Sequence, residues 1–255
     1  MSKVSVNILT KDRAGLLPLA LQSIVEQSLK DVEVVVVNDG SVDQTPIVLE
    51  EYEKKLKLKV INHQSSLGIT KSREIALTIS TGDYVAILDD DDVWIDIKKL
   101  AKQVKFLDQH KDCVLVGGGI RVPNFHSPMP EQIVNPNSQA EKFRPETDSV
   151  IRKTMLIRNN FFTSTVMFRK SAAMKAGGFM KDGEDFAEDY DLWLRLGQKG
   201  KMYNFQEAFA EYRVPTYNSE RKIAFLKKQL RLINREKAHY PNFWLASLFL
   251  KLRTL

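Results

Sequence analysis

The sequence predicts an α/β fold built on a mixed, mainly parallel sheet flanked by helices. Three observations carry this. Apolar, β-branched runs alternate with helical periodicities over residues 4–88. The run Val32-Glu33-Val34-Val35-Val36-Val37 is apolar enough to be covered on both faces, as a central parallel strand is. Polar segments containing Asp and Gly follow these runs, at the carboxyl ends of strands where such sheets bind ligands.

The elements follow in order. Val4 to Leu9 reads as a first strand and Leu16 to Leu29 as a helix, with Leu17, Leu21, Ile24 and Val25 on one face. After the valine-rich strand, Thr45-Pro46 marks a helix start, with Thr45 as cap and Pro46 in the first helical position, running to about Lys57. A short strand over Lys59 to Asn62, a helix over Ile69 to Ser80 and a strand over Tyr84 to Leu88 complete the first half. Val114 to Val116 is a strand leading into Gly117-Gly118-Gly119. Residues 123–147 hold five of the nine prolines and read as a long irregular segment, of the kind that is usually functional in a compact domain. Asp148 to Ile157 is helical, Thr165 to Phe168 strand-like and Tyr190 to Gln198 helical. Two helices, about 221–236 and 243–253, close the chain, broken by Tyr240-Pro241-Asn242.

Composition narrows the function. The chain has 255 residues, 43% hydrophobic and 27% charged, as a folded soluble protein does. No apolar run approaches the ~20 residues that span a bilayer, and Met1 to Ser5 shows no signal-peptide core. A single cysteine, Cys113, excludes a disulfide framework and a Cys-rich zinc site, and points to a reduced, cytoplasmic compartment. The net charge of +6 is concentrated in residues 220–255, where nine Lys or Arg face two acids. The rest of the chain is near neutral, which argues against nucleic acid as a partner of the body.

Four carboxylates, Asp89 to Asp92, stand directly after the apolar strand ending Ile87-Leu88. With strand alternation, Asp89 and Asp91 share a side. No cation follows before Lys98, so a hard divalent ion, Mn²⁺ or Mg²⁺, is favoured as the means of removing their repulsion over a solvated acidic turn that caps the next helix. Asn38-Asp39-Gly40-Ser41 and Thr10-Lys11-Asp12-Arg13 follow the second and first strands in the same way; taken singly, each is an ordinary turn or cap. Gly68 to Arg73 opens a helix with Lys71 and Arg73, a setting that suits an anion as well as it suits a solvated face. A second acidic cluster, Glu184 to Asp191, precedes an apolar helix, and a carboxylate there could serve as a general base or simply favour the helix start. The histidines lack metal-ligand spacing, and no P-loop or G-x-G-x-x-G motif is present.

Taken together, these motifs and their order resemble the inverting glycosyltransferases of family 2, which have the GT-A (Rossmann-like) fold. The likeness covers about residues 3–215 and includes the Gly177-Gly178-Phe179 and Glu188-Asp189 segments. It implies a nucleotide-sugar-binding half over 1–110, an acceptor-binding half over 111–215 and basic amphipathic C-terminal helices over 216–255. It implies that Thr10, Asp12, Asp39, Lys71, Arg73, Asp89 and Asp90 bind a UDP- or dTDP-sugar, with Asp39 accepting the imide proton of the base. It further implies that Asp91 ligates Mn²⁺ or Mg²⁺ and that Asp189 removes the acceptor's proton. Asn160 to Thr165 and the Pro-rich segment would form the acceptor side. Asn38 stands where the family often has Asp, and Ser72 and Glu74 where it often has Ala and Asn.

Two other readings compete. Asp89-x-Asp91 after an apolar strand also fits a haloacid-dehalogenase-type phosphatase using Asp89, although three α/β elements precede it. A non-catalytic membrane-binding adaptor would use the tail, where Ile223, Leu226, Leu230 and Ile233, then Trp244, Leu245, Leu248, Phe249 and Leu252, recur at helical spacing among basic residues. The same stripes could instead pack on the domain or on a second subunit. The expected activity is transfer to a saccharide or lipid-linked hydroxyl in surface polysaccharide or lipopolysaccharide synthesis, at the cytoplasmic face of a membrane.

Overall fold

The computed structural model describes residues 3–122, 140–179, 187–212 and 219–254. Its first half is a wound sheet: β1 (Val4–Thr10), α1 (Leu17–Val25), β2 (Val32–Asn38), α2 (Thr45–Glu53), β3 (Leu58–Asn62), α3 (Ile69–Ile79) and β4 (Tyr84–Ile87). The chain continues through β5 (Val93–Trp94), α4 (Lys99–Gln109), β6 (Cys113–Val122), β7 (Ala140–Lys142), α5 (Asp148–Thr154), a 3₁₀ turn (Thr163–Thr165), β8 (Met167–Arg169), α6 (Lys170–Lys175), α7 (Glu188–Gly197) and β9 (Lys201–Glu211). Two helices, α8 (Ser219–Glu236) and α9 (Phe243–Thr254), end it.

These strands form one sheet in the order β3-β2-β1-β4-β8-β6-β9-β5, with β7 on β6. The strands β3, β2, β1 and β4 are parallel, and β8 runs antiparallel between β4 and β6. The valine run is buried on both sides, as its composition requires. Val34 and Val36 pack with α1, while Val35 and Val37 pack with Ala76 of α3. This places the carboxyl ends of β1, β2 and β4 along one edge.

Several elements differ from the sequence reading. The N-cap of α2 is Gln44, because the Thr45 hydroxyl is turned to Asp43 Oδ1 at 2.5 Å rather than to the helix. That helix ends at Glu53 rather than Lys57, and α5 at Thr154 rather than Ile157. The strand expected over Val114–Val116 runs on through the glycines to Val122. Each glycine there makes room for a neighbour: a Cβ would lie 2.3 Å from Asn204 Oδ1 at Gly117, 2.3 Å from the Phe209 ring at Gly118 and 2.4 Å from the Phe143 ring at Gly119. The glycines are therefore a packing device of a bulged β6–β9 pair. Of the Pro-rich segment, residues 123–139 lie outside the described residues, and Ala140–Lys142 is a strand rather than irregular chain.

The tail resolves into two behaviours. On α8, Leu226, Leu232 and Ile233 are buried in the same core as Trp193 and Phe168. Arg235 pairs with Asp191, and Tyr240 donates to the Leu194 carbonyl at 2.6 Å. Of the α8 stripe, Leu226 and Ile233 thus pack on the domain, while Leu230 is exposed. The α9 stripe does not: Trp244 is 82% exposed, and Leu245, Leu248 and Phe249 are about half exposed. The side chains of Ile223 and Leu252 lie outside the described residues.

Candidate active site

The four aspartates do not continue the strand. β4 stops at Ile87, and Asp92 N–H closes a turn onto the Asp89 carbonyl at 3.1 Å. The expected alternation therefore fails, and each carboxylate has its own environment. Asp89 accepts from Arg73 Nη2 at 2.9 Å. Asp90 is pushed up to about 7 by burial and by its neighbours Asp91 and Asp89, against the Thr10 hydroxyl and Arg13. Asp91 has Arg13 Nη2 at 3.8 Å. Asp92 is buried and accepts from the Ser164 hydroxyl. Neutralisation thus comes from other elements, which no reading of the local sequence could supply.

The second acidic cluster meets the first through one side chain. Arg73, buried on α3, donates from Nε to Glu188 Oε1 at 2.9 Å and from Nη2 to Asp89. Burial opposes its charge, but Asp89 and Glu188 raise its pKa further and keep it protonated. Arg73 therefore serves here as a bridge between carboxylates. Glu188 is pushed up to about 7 by burial, with Arg73 working against this and Asp189 adding to it. Ala187 enters α7 in the left-handed region at φ 56°, and Glu188, Asp189 and Asp191 fill the first turn, where the helix N-terminus favours carboxylates. Asp189 is half-buried and fixed on both oxygens: Tyr190 N–H donates to Oδ1 at 2.6 Å and the Thr163 hydroxyl to Oδ2 at 2.5 Å. Glu184, Asp185 and Phe186 lie outside the described residues.

Asp39 sits at the end of β2 among five donors: His63 Nδ1, the Ser66 and Ser72 hydroxyls, and the Leu67 and Gly68 N–H groups. Burial works against its charge, yet these donors hold the carboxyl down at about 2. A carboxylate offers about four lone-pair sites, so a base would have to displace one of these donors. Gly40 turns the chain at φ 76°, where a Cβ would meet Ser66 N at 2.8 Å. Thr10 is buried at the end of β1. Asp12, at φ 53°, joins two loops by accepting from Val42 N–H at 2.8 Å and donating its own N–H to Ser41. Lys71 is exposed on the first turn of α3 and forms no ion pair among the described residues.

The departures from the family pattern have local reasons. Asn38 both accepts from Ser41 N–H and donates to Asn62 Oδ1 at 2.9 Å, a dual role that an ionised Asp lacks. Ser72 is one of the Asp39 donors. Glu74 accepts from Phe179 N–H at 2.6 Å, beneath the turn made by Gly177 and Gly178 at φ 91° and 62°.

The sequence reading set Asn160 to Thr165 on the acceptor side but gave no role to the hydroxyls of the 3₁₀ turn. Thr163 holds Asp189, Ser164 accepts from Asp89 N–H and donates to Asp92, and Thr165 bonds to Gly118. Three successive hydroxyl residues, Thr163-Ser164-Thr165, between Phe161-Phe162 and β8 were the available signal. Asn160 lies deeper, fully buried and bonded to the Ile151 carbonyl. Among the described residues no three His, Cys, Asp or Glu side chains gather as a metal cage. One partly exposed carboxylate such as Asp91 still suits a cation shared with a substrate diphosphate, since Mg²⁺ commonly takes one or two carboxylates plus phosphate oxygens.

This arrangement, a wound sheet with an acidic turn after β4 bridged to a second acidic helix start, defines a GT-A glycosyltransferase architecture. The S. aureus TarS fragment 1–349 matches with a TM-score of 0.70 at 20% identity, covering 97% of this chain and 69% of that one. A mannosyltransferase from Pyrobaculum calidifontis, PcManGT, solved with GDP-Man and Mn²⁺, matches with a TM-score of 0.71 at 20% identity, covering 97% and 69%. At such identity these likenesses speak to the fold alone. The family model for Glycosyl transferase family 2 matches residues 5–177. The chain belongs to that family and is a glycosyltransferase. It is 25% identical over 260 residues to the amylovoran biosynthesis glycosyltransferase AmsE of Erwinia amylovora, covering 100% of this chain and 93% of AmsE. An uncharacterized glycosyltransferase of Haemophilus influenzae is 30% identical over 200 residues, covering 77% and 69%. These matches favour neither the phosphatase nor the adaptor.

The raised carboxyl of Glu188 has a consequence for stability. Its folded value lies above the ordinary 4.5, so the folded chain binds the extra proton. The associated stability is present below about pH 4.5 and is lost as pH rises through about 7. Urea unfolding from pH 5 to 8 should show wild type losing ground to Glu188→Gln as pH rises; parallel curves would count against it.

Proposed function

We propose that this chain is a metal-dependent, inverting transferase that moves a sugar from a UDP- or dTDP-sugar to a hydroxyl of a saccharide or lipid-linked acceptor, in cell-surface polysaccharide synthesis. The observation that carries it is the juxtaposition, through Arg73, of the Asp89–Asp92 turn and the Asp189 helix start. Support comes from the relative named for amylovoran biosynthesis and from TarS, solved with UDP and with UDP-GlcNAc. In this reading residues 1–110 bind the donor and residues 111–215 the acceptor.

Thr10, Asp12 and Asp39 border the nucleoside at the ends of β1 and β2, with Asp89 and Asp90 toward the ribose and diphosphate. Asp91 would hold Mn²⁺ or Mg²⁺ against the diphosphate, and a cation there supplies neutralisation of the leaving group's charge. Lys71 and Arg13 add positive charge at the same edge. Asp189, oriented by Thr163 and by Tyr190 N–H, takes the proton from the acceptor hydroxyl. That oxygen bonds to the anomeric carbon as the bond to the diphosphate oxygen breaks on the opposite face. One displacement inverts the configuration. No protein acid is required, because a nucleoside diphosphate leaves as a stable anion.

Thermal shift with UDP, dTDP, GDP and ADP, each with Mn²⁺, tests the donor side. A uracil or thymine nucleotide should stabilise the chain, and Asp91→Asn should remove the Mn²⁺-dependent part. Asp189→Asn should bind nucleotide normally yet lose transfer by ~10²–10⁴-fold. Undiminished transfer by that variant would refute the base assignment.

The tail suggests where the reaction occurs. No helix among the described residues is long and apolar enough to cross a membrane. The exposed Trp244, Leu245, Leu248 and Phe249, set in a segment of nine cations and two acids, suit the surface of an anionic membrane. Vesicles of phosphatidylglycerol should sediment with the wild-type chain, and Trp244→Ser/Phe249→Ser should stay in solution. Equal sedimentation of both, or none of either, would refute membrane contact through α9.

A further inference from the structure

On the acceptor side of Asp189 stands a cationic cluster with no role in the scheme above. The guanidinium of Arg144 lies 4.6 Å from the centre of the Phe162 ring. Phe162 directly precedes Thr163, the residue bonded to Asp189, and its ring lies 6.4 Å from that of Tyr212. The segment carrying Arg144 is held in place. Gln206 donates to the Arg144 carbonyl at 3.0 Å, Asn204 donates to the Pro145 carbonyl at 2.9 Å, and Phe143 occupies the space opened by Gly119.

Among the described residues this arginine has no counter-ion. Its Nε is buried without a hydrogen-bond partner. Burial and the neighbouring Arg158 both work against its charge. Among the described residues neither arginine forms an ion pair, and nearby acids are engaged elsewhere: Glu146 with Tyr203, Glu141 with Arg121 and Asp148 with Arg152. A half-buried guanidinium beside a second cation is costly unless an anion completes it. The planar fork matches a phosphate or carboxylate in two-point contact, and the Phe162 ring lies against the guanidinium.

We propose that Arg144 and Arg158, walled by Phe162 and Tyr212, form a subsite for an anionic group of the acceptor, a phosphate or a carboxylate, so that the acceptor's hydroxyl is presented to Asp189. The proposal rests on the transferase reading, in which Asp189 marks the acceptor side. It makes the preferred acceptor a charged one: a sugar phosphate, a diphosphate-linked sugar or an acidic sugar.

The test is ligand-observed NMR on the full chain, with saturating UDP and Mn²⁺ closing the donor side. The probes are methyl glucoside, methyl glucuronide and glucose 1-phosphate. The expected result is that an anionic probe binds about tenfold or more tightly than the neutral one, as charge-assisted contacts allow. The difference should collapse in Arg144→Gln and in Arg158→Gln, the second being an exposed position whose change should leave folding intact. The better of the two anionic probes identifies phosphate or carboxylate as the recognised group. Equal binding of all three probes by wild type, or a preference untouched in both variants, overturns the subsite. UDP–Mn²⁺ stabilisation of the same samples is read separately: its absence in wild type would refute the donor reading, while its presence with no anion preference would refute only the subsite.

Discussion

The site depends on a single buried cation. Arg73 bonds Asp89, 16 positions on, and Glu188, 115 positions on, so one guanidinium ties α3 to the turn after β4 and to the start of α7. Burying such a group costs several kcal/mol, and only well-placed carboxylates offset that cost. The two partners take separate nitrogens of the fork, Nε for Glu188 and Nη2 for Asp89. A lysine could not make both contacts, since its ammonium is a point charge on a flexible stem. The bridge also leaves the other acids of the turn to separate environments: Asp90 partly buried, Asp91 partly buried beside Arg13 and Asp92 buried against Ser164.

A second brace lies on the opposite side. The 3₁₀ turn touches Asp89, Asp92 and Asp189 through successive hydroxyls, and it is itself held from below. Trp94 Nε1 donates to the Ser164 carbonyl at 2.6 Å and Gln103 to the Thr165 carbonyl at 2.8 Å. Lys99 completes this support, fully buried, donating to Gln103 at 2.9 Å with its amine 4.1 Å from the Trp94 ring centre. Burial lowers its pKa well below the usual lysine range. The carboxylates after β4 and at the start of α7 are thereby fixed to one scaffold from two directions, an arrangement that keeps reacting groups aligned.

Much of this was legible in the sequence. The Val32–Val37 run could only be a doubly covered strand, and the polar segments after β1, β2 and β4 fell on one sheet edge because consecutive parallel strands end there. Less legible was everything that depends on distant partners. β9 was not assigned, because Lys201 to Glu211 alternates poorly and pairs with β6 through bulges. Also unassigned were β5, only two residues long, and α4, whose lysines mask a stripe of Leu100, Val104 and Leu107. Arg73 was visible as a cation beside anionic chemistry, but its carboxylate partners were not, since nothing local links residue 73 to 188. Asp39 drew a role only from the family resemblance, and its five donors come from a loop and helix start more than 20 residues away.

The most direct test of this account is the unfolding free energy of Arg73→Met, measured in urea without metal or nucleotide. If the guanidinium is the bridge described, its loss leaves two facing carboxylates uncompensated and costs about 3–5 kcal/mol. Adding Asp89→Asn and Glu188→Gln to that variant should return a large part of the loss. A single variant within ~0.5 kcal/mol of wild type, or a triple variant no more stable than the single, would contradict the account.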